Sequence, residues 1–327
     1  MSIPWGLAQH VLRRFDPQEC TLIGCVASEQ RGNAAPLMIH AEGRPCEQVL
    51  VEVIDPPNAY PDYGPQTAAA RLIQRRSLAD AGVGYSDERF DLLSPDSNIA
   101  DMLSRALGGG ASRTLIIDIS ALPKRFFCLF VKLACVDERA TNVIAIYTEA
   151  GRGGYPEGRL TDDALPFSPL PGFMGAFGEE PKMLLASVGM QAEKVEGLVD
   201  EYRNANKHIH VLLGFPSDVT MTGRAWETVR AIFRGDVSLA RDAVDVVSTL
   251  DVQDVFDVIE RQVVRYGRPR FAPYGPKPHT LAMCLSAMKH DAEMTYGQPR
   301  SYHPAYSTGV GPSWGYVLKW NGRPTFD

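Results

Sequence analysis

Short runs of Val, Ile and Leu alternate along this chain with longer stretches whose apolar residues recur at helical spacing. Strands covered by helices on both faces must be apolar throughout, so this alternation is the pattern of βα units wound into a mostly parallel sheet. Strands are expected at Thr21–Ala27, Gln48–Ile54, Thr114–Ile119 and Val143–Tyr147, with helices near Ser97–Leu107 and Lys124–Val136. The second half repeats the theme. Its strands are expected at Lys182–Gly189, Ile209–Phe215, Arg270–Tyr274 and Ala292–Tyr296, and its helices near Glu193–Tyr202, Arg224–Phe233, Val252–Tyr266 and Pro278–Lys289. Ala8, Val11, Leu12 and Phe15 mark an N-terminal helix over residues 4–15.

The two halves can be laid over each other. "RTLIIDISALPKRFFCLFVKLACV" ends a strand, turns through Lys124 and opens an apolar helix, and "PRFAPYGPKPHTLAMCLSAM" does the same around Lys277. Each is followed by a strand ending in tyrosine and a turn with glycine and arginine, "VIAIYTEAGRGGY" and "AEMTYGQPRSY". Upstream, "TLIGCVAS" matches "KMLLASVGM", "QVLVEVIDPP" matches "HIHVLLGFPSD", and "FDLLSPDSNIADMLSRAL" matches "VSTLDVQDVFDVIERQVV". The order agrees throughout, which points to internal duplication. The fold class is therefore α/β, as two tandem Rossmann-like, doubly wound parallel-sheet lobes. Residues 1–160 form the first, 161–180 a Gly- and Pro-rich connection, and 181–327 the second.

Bulk properties narrow the function classes. A chain of 327 residues has room for two cores. The longest apolar runs, as near Phe126–Cys135, are broken by Lys132 and fall short of the ~20 residues of a membrane span. The N-terminal helix lacks the apolar centre and cleavage site of a secretion signal, so a cytoplasmic protein is expected. Six cysteines without C-x-x-C spacing suggest reduced, buried thiols. A net charge of −6 disfavours duplex nucleic acid as a partner.

The repeated turn carries the candidate chemistry. In open parallel sheets ligands bind beyond the carboxyl ends of the strands, where helix N-termini offer free N–H groups. Ser120 and Lys124 in the first half, and Gly275, Lys277 and Thr280 in the second, supply the hydroxyl, cation and close backbone that a phosphate takes. No Walker loop and no G-x-G-x-x-G occurs, which weakens phosphotransferase and dinucleotide readings. Arg300 and Tyr302 lie with His303, Tyr306 and Ser307 in a glycine-flanked loop suited to a stacked base or sugar. Asp118, His279 and His303 are candidate acid–base groups for an enzyme acting on a nucleotide or sugar phosphate. Asp118 also reads as a helix cap. His208 and His210 lack a third ligand at metal spacing, so no metal or other cofactor is expected. The segment Phe173–Phe177, "FMGAF", suggests a contact surface for a scaffold subunit.

The strand–turn–lysine–helix unit, present twice, resembles the ligand-binding units of CRISPR-associated Rossmann-fold (CARF) sensors. Its tandem arrangement is similar to the SAVED class, in which two such units are fused. The resemblance implies a cyclic oligonucleotide ligand seated between two units, faced by Ser120, Lys124, Gly275, Lys277 and Thr280. It also implies signalling to a partner chain or oligomer in bacterial antiviral defence. The turns here read "SALPK" and "YGPK", where such sensors often carry a glycine-richer T-G-G-T-K type.

Overall fold

A computed structural model describes residues 2–15, 20–54, 63–108, 113–155, 161–189, 195–216, 219–234 and 242–327. The expected helix start at Glu193, the end of the "VIDPP" match and part of the 161–180 connection's approach, 156–160, lie outside these residues. The chain divides into two compact units, Met1–Leu165 with Pro299–Thr325, and Pro166–Gln298.

The first unit is built on strands β1 (Trp5–Leu7), β2 (Cys20–Cys25), β3 (Cys46–Ile54), β4 (Ser86–Asp91), β5 (Arg113–Asp118) and β6 (Ala140–Thr148). Two late strands join them, β15 (Ser313–Trp320) and β16 (Arg323–Pro324). The sheet order is β1-β15-β6-β5-β2-β3-β4, with β16 on β15. The strands β2 to β6 are mutually parallel, whereas β15 is antiparallel to β6. Counted along the chain, the parallel strands stand in the order 3-2-1-4-5, the doubly wound arrangement with its switch point between the first and fourth strands. Helices α1 (Ala8–Phe15), α2 (Ala34–Ala41), α3 (Tyr63–Asp80), α4 (Asp96–Leu107) and α5 (Lys124–Val136) connect them. Every residue of β2 is buried, and α5 buries Phe126, Phe127 and Phe130.

The second unit repeats this order. Its strands β8 (Ser168–Met174), β9 (Met183–Val188), β10 (His208–Phe215), β11 (Val244–Ser248), β12 (Pro269–Pro273) and β13 (Glu293–Tyr296) form the sheet β11-β10-β9-β12-β13-β8. Here β9 to β13 are parallel in the order 3-2-1-4-5, and β8 lies antiparallel to β13. The helices are α6 (Glu196–Asn204), α7 (Val219–Ile232), α8 (Val252–Tyr266) and α9 (Lys277–His290). Asp251 caps α8 by accepting from the amides of Gln253 and Asp254. Each segment paired in the sequence comparison occupies the same place in its own sheet, first strand with first and fourth with fourth.

Three departures have physical reasons. The segment after each fifth strand completes the other unit's sheet: β8, which follows β6, pairs with β13, and β15, which follows β13, pairs with β6. Pro299–Thr325 therefore belongs with the first unit, not with the second lobe expected over 181–327. Between these strands, β7 (Thr161–Ala164) pairs with β14 (Pro299–Tyr302) inside the first unit. The N-terminal segment opens as strand β1 before turning helical at Ala8. Finally, the parallel register sets Cys20 directly beside Cys46, with Cα atoms 4.6 Å apart, and the two form a disulfide. That corrects the expectation of six reduced thiols; Cys25, Cys128, Cys135 and Cys284 are outside any disulfide and buried.

Candidate functional site

Both lysine turns lie where the fourth strand of each unit hands over to its helix, next to the first strand. In the first unit Lys124 is the first residue of α5 and Pro123 its cap. In the second unit Lys277 is the first residue of α9, capped by Pro276. Proline suits these positions because it has no N–H to leave unsatisfied and its φ is fixed for the turn. Both lysines are half-buried.

The first turn is tied down from inside. Asp118 and Ser120 are fully buried at the end of β5. The Asp118 Oδ1 accepts from the Ser120 amide at 2.9 Å and from its hydroxyl, while Ser120 Oγ accepts from the Thr148 amide at 2.7 Å. Ser120 thus links the carboxyl ends of β5 and β6 and fixes the turn that leads to Lys124. The loop after β2 packs against it. A Cβ on Gly32 would stand 2.7 Å from the Cys25 carbonyl oxygen and 3.0 Å from Ala121 Cβ, so only glycine permits the approach.

The second turn is shaped around His279. Its ring is fully buried, with Nδ1 2.8 Å from Ser187 Oγ on β9 and Nε2 3.0 Å from the Ser248 carbonyl oxygen on β11. A carbonyl only accepts, so Nε2 donates to Ser248, and Nδ1 shares a hydrogen bond with the Ser187 hydroxyl. A Cβ on Gly275 would fall 1.8 Å from Ser187 Oγ, and one on Gly214 would fall 3.1 Å from His279 Cε1. Gly275 therefore admits the Ser187–His279 pair beneath the turn. Thr280 is fully buried one residue further on, and its hydroxyl donates to the Pro276 carbonyl at 3.4 Å.

The aromatic loop belongs to the first unit. Arg300 is exposed, and Tyr302 and His303 are half-buried. The Tyr302 ring meets Tyr306 edge-on at 6.0 Å, and His303 meets Tyr63 at 5.1 Å. His303 Nδ1 accepts from the Ala305 amide at 3.1 Å. Beyond it, Ser307 donates to Glu29 and the Gly309 amide donates to Gln30 Oε1 at 3.1 Å, so this loop reaches the segment that follows β2. Asp118, Ser120 and Lys124 share one turn of the first unit; Gly275, Lys277, His279 and Thr280 share the corresponding turn of the second.

Sequence reasoning missed the charged centre of the first switch point, Glu29 and Arg31. Arg31 is buried, and burial works against its charge, yet Glu29 and the nearby hydroxyls of Tyr155, Tyr147 and Tyr306 outweigh that and hold its pKa well above the ordinary value. The available signal was position, since "SEQRGN" follows the first strand where dinucleotide folds place a glycine loop. In the second unit the equivalent loop, 190–194, lies outside the described residues.

His208 and His210 sit 5.9 Å apart on one face of β10. His210 Nε2 donates to Asp245 at 3.0 Å. Burial, His210 and Arg265 push His208 down to about 4, and burial lowers His210 against the pull of Asp245. Among the described residues no cluster of three or more His, Cys, Asp or Glu is arranged to hold a metal ion. Among them, too, no helix is long and apolar enough to cross a membrane. Of the "FMGAF" segment, Phe173 is buried, whereas Met174 is 77% and Phe177 106% exposed. No protein-family model and no curated protein matches this chain.

Proposed function

We propose that this chain is a ligand-sensing protein that binds a nucleotide or another phosphorylated small molecule at the carboxyl ends of its parallel strands. Each lysine turn, shaped by Ser120 in the first unit and by Thr280 in the second, offers an anion a site in its own unit, and Arg300 and Tyr302 of the first unit contact base or sugar. The observation that carries the reading is the repeated Pro–Lys start. In each unit the helix after the fourth strand opens on a half-buried lysine beside the switch point. A cation there opposes the helix dipole, at a cost of about 0.3–1 kcal/mol. An anion that accepts from helix-start N–H groups and the ammonium together reverses the sign of that cost.

The shared strand order and the paired segments support descent from one duplicated unit. With the CARF and SAVED resemblance, they favour signal output through a partner chain or oligomer in a bacterial defence-type system. A non-enzymatic scaffold is the second reading, favoured by the full exposure of Phe177 beside Met174.

Thermal shift against a panel of cyclic and linear nucleotides tests the proposal. A ligand at a hundred times its Kd contributes about 2.7 kcal/mol, a rise of about 5 °C or more for a unit of this size. The expected result is such a rise for at least one phosphate-bearing compound, reduced by Lys124→Ala and by Lys277→Ala. Identical melting curves for all three proteins with every compound overturn it.

A further inference from the structure

The switch point of the first unit, where a dinucleotide fold would place its ligand, is filled by the chain's own charges. Arg31 leaves the loop after β2 and spans toward the end of β6, where its Nη1 reaches the Thr148 carbonyl at 3.5 Å and the Tyr155 hydroxyl at 3.3 Å. Both contacts are long for a guanidinium. Its other two nitrogens converge on a single oxygen, Glu29 Oε2, from Nε at 2.8 Å and from Nη2 at 2.7 Å. Ser307 donates to the same oxygen. Three donors thus crowd one carboxylate oxygen, whereas guanidinium and carboxylate or phosphate pair best through two parallel bonds. Tyr147 and Tyr155 flank the cation, with ring centroids 5.9 and 6.0 Å from its central carbon.

What encloses this pair is a strap, residues 303–312, that leads from β14 to β15. It is held by backbone bonds to the segment after β6: Thr308 N to the Gly154 carbonyl at 2.7 Å, Gly151 N to the Thr308 carbonyl at 3.0 Å, and Gly311 N to the Glu149 carbonyl at 2.9 Å. Thr308 and Val310 are exposed on it, and Ser307 is buried beneath. Lifting the strap breaks these bonds, those of Glu149 N to the Pro312 carbonyl and Gly309 N to Gln30 Oε1, and the Ser307–Glu29 contact, while the pairing of β15 with β6 stays in place. Replacing a buried ion pair by apolar side chains of equal volume often leaves stability unchanged or higher, so the pair is weak evidence of a purely structural role for Arg31 and Glu29.

We propose that Arg31 is an anion-binding residue of the first unit, latched by Glu29 and Ser307, and that a phosphate-bearing ligand takes the place of the Glu29 carboxylate and releases the strap. The inference rests on the proposed class of ligand, and it adds a residue and a regulatory step to the first lysine turn, whose Ala121 touches the same loop. Two oxygens of a phosphate offer Arg31 the paired geometry that Glu29 does not. The displaced Glu29 and Ser307 then face solvent together.

Inorganic pyrophosphate is the probe. Titration calorimetry on the full chain should show at least tenfold tighter binding for Glu29→Gln and a smaller gain for Ser307→Ala, and Arg31→Ala in the Glu29→Gln background should remove the gain. Affinity unchanged in both single variants overturns the latch, whatever Lys124→Ala and Lys277→Ala do to the nucleotide response. Should Glu29→Gln fail to fold, hydrogen exchange on the unaltered chain decides. Amides of Thr308, Gly309 and Gly311 must exchange faster with saturating pyrophosphate, and unchanged or slower exchange overturns the proposal.

Discussion

His279 separates a structural account of the second turn from a catalytic one. In the structure its ring joins three strand ends, bonding Ser187 on β9 and Ser248 on β11 and lying against Gly214 on β10. His279→Ala removes a fully buried ring and strips the Ser187 hydroxyl and the Ser248 carbonyl of a partner. Each of the two lost hydrogen bonds costs about 1 kcal/mol, and the cavity adds a further term of about 2–3 kcal/mol, so a destabilisation of about 4–5 kcal/mol is expected. That is a large share of a typical domain's stability. Gly275→Ala attacks the same contact from the other side, since its Cβ would sit 1.8 Å from Ser187 Oγ. Overpacking of this kind costs about 1–3 kcal/mol. Ser187→Ala should relieve part of it, so the Gly275/Ser187 pair is expected to be non-additive. The assay is urea denaturation followed by circular dichroism, with native-state hydrogen exchange at β9 and β10 to assign the loss to this unit. A His279→Ala variant within about 1 kcal/mol of the parent, or a strictly additive cycle, refutes the packing argument and returns His279 to the acid–base candidates.

Two other perturbations probe the remaining geometry. Ser120→Ala orphans the buried Thr148 amide and should cost about 1–3 kcal/mol by the same denaturation assay, whereas a neutral result means that Ser120 does not tie β5 to β6. Acid should weaken the second unit through His208, whose folded pKa of about 4 lies below its ordinary 6.5. The unfolded chain then binds the proton more readily, so this stability is whole above pH 6.5 and is lost as pH falls toward 4, by about 1–2 kcal/mol once partial exposure is discounted. His208→Gln should flatten that slope between pH 6.5 and 4, and a slope that survives the change sinks the assignment.

Much of the fold was legible because strands sheathed on both faces must be apolar from end to end. β2 and β9 announce themselves that way and are buried at every position, while β5 and β12 keep an apolar centre beside Arg113 and Arg270. The edge strand β4, "SDERFD", buries only Phe90 and leaves no such trace. Helix α3 buries Thr67, Gln74 and Leu78 while Leu72 and Ile73 face outward, so it has no apolar stripe to read. β15 reads as a strand by composition, but its place beside β6 depends on a pairing across half the chain that no local pattern records. The same holds at the sites. A proline–lysine pair after an apolar strand can be seen in sequence, but the Glu29–Ser307 contact joins residues 278 positions apart and exists only in the fold.

Most direct of all is a crystal structure of the chain with whichever compound of the nucleotide panel stabilises it most. The account requires phosphate oxygens within about 3 Å of Lys124 Nζ or Lys277 Nζ and of backbone amides in the same turn. A compound bound elsewhere, with both turns unchanged from the ligand-free chain, contradicts it.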